Sequence, residues 1–113
     1  MGVQMIEGLL GSLYKERVLI FIFSRQKGYA REISQFYKIS LTAVINQLKS
    51  LEESGILISI KQGRTIVYQF NQRYTFLPEL ELLLKKVIGF YPEDLKEELL
   101  YNRRRPRRKN KSL

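Results

Sequence analysis

The chain has no cysteine and no histidine. Without cysteine there are no disulfides and no thiol chemistry, and without either residue the usual zinc sites are gone. Lack of histidine also removes Ser-His-Asp and Cys-His nucleophilic arrangements, together with the commonest general base. Long apolar runs are missing too. The longest, Val18 to Phe23, is six residues, whereas a membrane span needs roughly 20. No signal-peptide pattern of basic start, apolar stretch and small-residue cleavage site is visible. These absences predict a soluble cytoplasmic protein, not an enzyme, with no metal, cofactor or membrane partner.

The carboxylates do not restore enzymatic chemistry. They come as neighbours, Glu52/Glu53, Glu93/Asp94 and Glu97/Glu98, and adjacent helical residues point about 100° apart. Such pairs read as solvated faces. Gly8 and Gly11 are not followed by the Gly-Lys-Ser/Thr of a phosphate loop.

What is present is a folding chain with displaced charge. At 113 residues and 44% apolar content it fits one domain with one modest core. Of the net +9, seven cations lie between Arg103 and Lys111 with no acid among them, leaving +2 for everything before. Within that remainder residues 25–64 carry +4 and residues 76–101 carry −3. A basic middle and a strongly basic tail favour a polyanion as partner. The expected organisation is a domain over residues 1–101 and a disordered basic tail over 102–113.

Spacing predicts a helix over 5–24, with Ile6, Leu9, Leu10, Leu13, Val18 and Ile22 recurring at three to five. Its all-apolar stretch, Val18 to Phe23, calls for burial on more than one side, by the domain or by a second subunit. A polar break at 25–28 precedes a short helix, Ala30 to Tyr37, and a tight Lys38-Ile39-Ser40 turn. Ser40 is a good N-cap for a helix from Leu41 to about Ser54, which Gly55 ends. Two β-branched stretches follow, Ile56 to Ile60 and Arg64 to Phe70, around a Lys61-Gln62-Gly63 turn. Pro78 opens a helix from Glu79 to about Ile88, and Pro92 a short amphipathic one through Leu95, Leu99 and Leu100. The fold class expected is mainly α with a small β-hairpin, a winged helix-turn-helix with extra terminal helices.

The helix from Leu41 divides into two faces. Val44, Leu48 and Leu51 lie within about 60° of one another at ~100° per residue and form the core side. Opposite fall Thr42, Asn46 and Lys49, flanked by Ile45, with Ser40 and Leu41 at the leading end. Asn46 suits the paired hydrogen bonds that pick out adenine, Thr42 a base or phosphate, and Ile45 a thymine methyl. Lys49 is better placed for phosphate. Lys61 and Arg64 flank the wing turn, and Arg25, Lys27, Arg31 and Lys38 surround the preceding helix, where they can fix register on the sugar-phosphate chain. In the tail, Arg103, Arg104, Arg105, Arg107 and Arg108 resemble extensions that track phosphates or dip into a minor groove. No aromatic residue there offers a base a stacking face.

Arg31-Glu32-Ile33-Ser34, Ile39-Ser40, Val44 with Leu48-Lys49, Leu51 to Leu57, Gly63-Arg64, Tyr68 and Phe70-Asn71, in that order, resemble the winged-helix transcriptional regulators of the ArsR-like group over about residues 13–88. The resemblance implies a homodimer paired through its first and last helices, with Leu9, Leu13, Phe21, Leu80, Leu83, Leu84 and Val87 as interface candidates. It implies groove-facing roles for Thr42, Asn46 and Lys49 and a wing contact for Arg64. Metal-sensing members use Cys and His, so metal sensing does not carry over. The expected function is sequence-specific binding of double-stranded DNA. The alternatives are a winged-helix module for protein–protein contact, and non-specific nucleic-acid binding driven by the tail.

Overall fold

The computed structural model describes residues 5–104, with the backbone alone from 101. Six helices and three strands follow in the order α1 (Glu7–Leu10), α2 (Leu13–Arg25), β1 (Gly28–Tyr29), α3 (Ala30–Tyr37), α4 (Leu41–Glu53), β2 (Leu57–Gln62), β3 (Thr65–Phe70), α5 (Leu77–Gly89) and α6 (Glu93–Arg104). This is a winged helix-turn-helix with added helices at both ends. None of the described helices is long and apolar enough to cross a membrane.

The first predicted helix is two. Gly11 adopts φ +79 and closes α1 by donating its N–H to the Glu7 carbonyl at 2.7 Å. Ser12 then caps α2, its hydroxyl accepting from the Lys15 N–H at 3.1 Å. A glycine free to turn left-handed, followed by a capping serine, outweighs the apolar periodicity that runs across them.

The helix-turn-helix follows the expected bounds. Lys38 ends α3 at φ 58, and the Ser34 carbonyl accepts from the Ile39 N–H at 3.1 Å. The Ser34 hydroxyl donates to the Ile39 carbonyl at 2.6 Å. Ser40 caps α4 by accepting from the Ala43 N–H at 3.2 Å, and Gly55, at φ +82, stops the chain from continuing the helix.

The wing is longer than expected and turns one residue later. Lys61 and Gln62 belong to β2, in register with Ile66 and Thr65. The two-residue loop is Gly63-Arg64, with φ +63 at Gly63 and no positive φ at Arg64, the pattern of a type II′ hairpin. The sheet has a third strand that periodicity could not reveal. Gly28 and Tyr29 pair antiparallel with Tyr68 and Val67, giving the order β1-β3-β2.

The core is built around α2. Val18, Leu19, Ile20, Phe21 and Ile22 are each at most 1% exposed, because α3, α4, α5 and α6 surround them. The domain alone thus satisfies the all-round burial that the apolar run demands. At the C-terminal end, α6 exceeds the short helix expected and continues past residue 101 to Arg104. Arg103 and Arg104 are therefore helical rather than part of a disordered tail.

Candidate nucleic-acid interface

The exposed side of α4 is assembled from its two-faced sequence. Val44, Leu48 and Leu51 are buried at 0%, 0% and 1%, and they fix the rotation of the helix against the core. That rotation leaves Ser40, Thr42, Asn46 and Lys49 exposed, with Leu41 and Ile45 half-buried between the two sides. Gln47, on the flank of α4, was not singled out by sequence. It is half-buried, and its Oε1 has no hydrogen-bond partner among the described residues.

The hairpin is tied to the same helix. The Ser59 hydroxyl on β2 donates to Glu52 Oε2 at 2.6 Å, so Glu52 does more than solvate a face. On the same side of the hairpin, Tyr68 pairs with Ser59. Burial, and then the Glu52 carboxylate, push its phenol pKa up. Asn71 closes the base: its Nδ2 donates to the Gly55 carbonyl at 2.9 Å, and its Oδ1 accepts from the Arg73 N–H at 3.0 Å. These bonds hold the wing at a set angle to α4, and Lys61 and Arg64 stand exposed at its tip.

Of the cations near α3, Lys27, Arg31 and Lys38 are exposed, but Arg25 is not available to a phosphate. Its side chain is 11% exposed and held by carbonyls of α6 and by Glu32. Between β1, the first turn of α3 and the wing lies an open cleft of about 390 Å³, lined by Lys27, Tyr29, Glu32, Gln62 and Thr65 with Arg25 at its inner wall. Sequence reasoning missed Tyr29, Gln62 and Thr65, since they come together only through the β1–β3 pairing. Among the described residues there is no cluster of three or more acidic, His or Cys side chains placed to hold a metal ion.

The interface candidates at the two ends divide sharply. Phe21 (0% exposed), Leu84 (0%) and Val87 (5%) lie inside the monomer's own core and offer a partner no surface. They are corrected to core residues, since α2 and α5 pack on each other within one chain. Leu9 is 71% exposed, while Leu13, Leu80 and Leu83 are half-buried. Leu9, Leu80 and Leu83 line one apolar groove of about 350 Å³ with Leu10 and the exposed Phe76. Arg105, Arg107 and Arg108 lie outside the described residues.

No protein-family model matches the chain, and no curated protein matches it. The case for its function therefore stands on the geometry and on the sequence pattern.

Proposed function

We propose that this chain is a sequence-specific, double-stranded-DNA-binding transcriptional regulator of the ArsR-like kind, acting as a homodimer. The observation that carries the reading is the outer side of α4. A capped helix start, two short polar side chains and one cation stand free of the domain, next to a wing tipped with two more cations. A helix of this kind enters the major groove with its leading residues on base edges, while the helix before it crosses the backbone. Asn46 and Thr42 then read bases, with Ile45 against a thymine methyl, and Lys49, Arg31, Lys38, Lys61 and Arg64 neutralise phosphates. The apolar groove at α1 and α5 supplies the dimer contact, and two-fold symmetry in the protein calls for a palindromic site.

The test begins with random-oligonucleotide selection of a preferred duplex. Asn46→Ala is expected to weaken the selected site by about 1–3 kcal/mol and leave random DNA almost unchanged. Lys49→Ala is expected to weaken both alike and to lower the salt slope by about one. Equal loss on both sequences for Asn46→Ala removes the base-reading role.

The seven cations from Arg103 to Lys111 favour a second reading, non-specific binding through the tail. That reading predicts no preferred site, and affinity that disappears on truncation after Arg104.

A further inference from the structure

Arg25 joins elements that the sequence keeps far apart. From the last residue of α2, its Nε donates to the Leu99 carbonyl at 2.9 Å and its Nη2 to the Glu98 carbonyl at 2.9 Å. Its Nη1 stands 3.4 Å from Glu32 Oε2 in the first turn of α3. The guanidinium also lies over two rings, 4.6 Å from the centroid of Phe21 and 5.2 Å from that of Phe36. Only a planar fork makes this set, since a lysine ammonium in the same place cannot bond both carbonyls and Glu32 while lying flat on the rings.

The consequence concerns where α6 ends. The chain before α6 is held at the other end of α2, where Tyr91 bonds Glu16, so α6 runs alongside α2 towards Arg25. Beyond Leu99 it continues to Arg104, about 7 Å at 1.5 Å per residue. The cluster of seven cations thus begins one or two helical turns from the first turn of α3. Exposed Lys27 and Arg31 lie there, beside the cleft that reaches the wing through Gln62 and Thr65. Helix α6 is itself polarised, with Glu93 and Asp94 in its first turn and Arg103 and Arg104 in its last, an arrangement its macrodipole favours.

We propose that Arg25 is a positioning residue: by holding Glu98 and Leu99 it delivers the cluster beginning at Arg103 to the DNA backbone that crosses the start of α3. The tail then extends the same interface as α4 and the wing, on the same duplex, instead of acting as a free tether. This rests on the DNA-binding reading above.

The test is a set of full-length variants measured on the selected duplex across a salt series: wild type, Arg25→Lys, Arg103→Gln with Arg104→Gln, and all three substitutions together. Neutralising the two arginines is expected to lower the log-log salt slope by about two and to weaken binding several-fold. Arg25→Lys is expected to produce a similar loss although net charge is unchanged, and the combination little more than either. Losses that multiply, or an Arg25→Lys protein that binds like wild type, overturn the proposal. Should Arg25→Lys fold poorly, eight Gly/Ser residues inserted after Leu100 keep every charge and the Arg25 bonds while freeing the cluster. Several-fold weaker binding is expected from the insertion, and undiminished affinity overturns the proposal. Failure of the underlying reading looks different, because wild type would then show no preference for any duplex and Asn46→Ala would have no site-specific effect.

Discussion

Glu16 is fully buried, and two backbone N–H groups satisfy its carboxylate, Met5 at 2.8 Å and Ile6 at 3.0 Å. The Tyr91 hydroxyl donates to it as well. One side chain therefore fastens the segment leading into α1 and the segment leading into α6 to the start of α2. Nothing in sequence spacing signals this, since residues 5, 16 and 91 belong to no shared period. Burial and the neighbouring Glu16 charge push the Tyr91 phenol up to about 12, with Arg17 pulling the other way. The sign of the effect on stability follows. Below the ordinary phenol pKa, near 10, both folded and unfolded chains keep the proton and the contribution is complete. Between about 10 and 12 the unfolded chain ionises first, so stability falls by up to about 1.4 kcal/mol per pH unit. Burial pushes the Tyr37 phenol up as well and acts in the same direction. Tyr91→Phe should therefore lose less stability than wild type between pH 9 and pH 11 in urea unfolding. Parallel losses in the two proteins would remove Tyr91 as a source of alkaline sensitivity.

At the scale of elements, β1 shows how a two-residue strand acquires importance. The backbone at Gly28 passes so close to α2 that an added Cβ would stand 3.1 Å from two ring carbons of Phe21 and 3.5 Å from Ile33. The ring has little room to retreat: Phe36 packs on it edge-on with centroids 5.4 Å apart, Tyr37 at 6.4 Å, and the Arg25 guanidinium lies over it. Gly28→Ala is accordingly expected to cost about 1–3 kcal/mol as overpacking, read as a lowered urea midpoint. A neutral result would mean that β1 can lift from α2 without loss. The helix-turn-helix was legible because its signals are local: Ser40 caps, Gly55 stops, and Val44, Leu48 and Leu51 repeat at helical spacing. The wing was legible through its β-branched residues, and its turn was displaced by one because Lys61 and Gln62 carry no strand signature. Strand β1 was hidden, since two residues cannot display a period. The break at Gly11 and Ser12 was hidden for the opposite reason, a strong apolar pattern running across it. Arg25 was misread as a phosphate ligand because its partners lie more than 70 positions away.

For the whole molecule, the distribution of apolar surface decides between what holds one chain together and what is left for a second. The sequence grouped Phe21, Leu84 and Val87 with Leu9, Leu13, Leu80 and Leu83, since all sit on the end helices. Burial separates them, because α6 and the core consume the first three. What remains outward at this groove is Leu9 at 71% and Phe76 at 61% exposure, with Leu80 and Leu83 half-buried beneath them. Substitutions in the two groups should therefore fail differently. Leu84→Ala removes fully buried volume and is expected to cost about 2–5 kcal/mol of monomer stability. Leu9→Ser with Phe76→Ser touches exposed side chains, and surface substitutions usually change stability by no more than about 0.5 kcal/mol. If the groove is the dimer contact, that double variant should sediment as a monomer at concentrations where wild type sediments as a dimer, with its urea midpoint nearly independent of protein concentration. Its binding to a palindromic duplex should then fall to that of a single half-site, while the preference set by Asn46 survives. A double variant that still sediments as a dimer would move the contact elsewhere on the molecule, with exposed Leu82 and Phe90 the next pair to change.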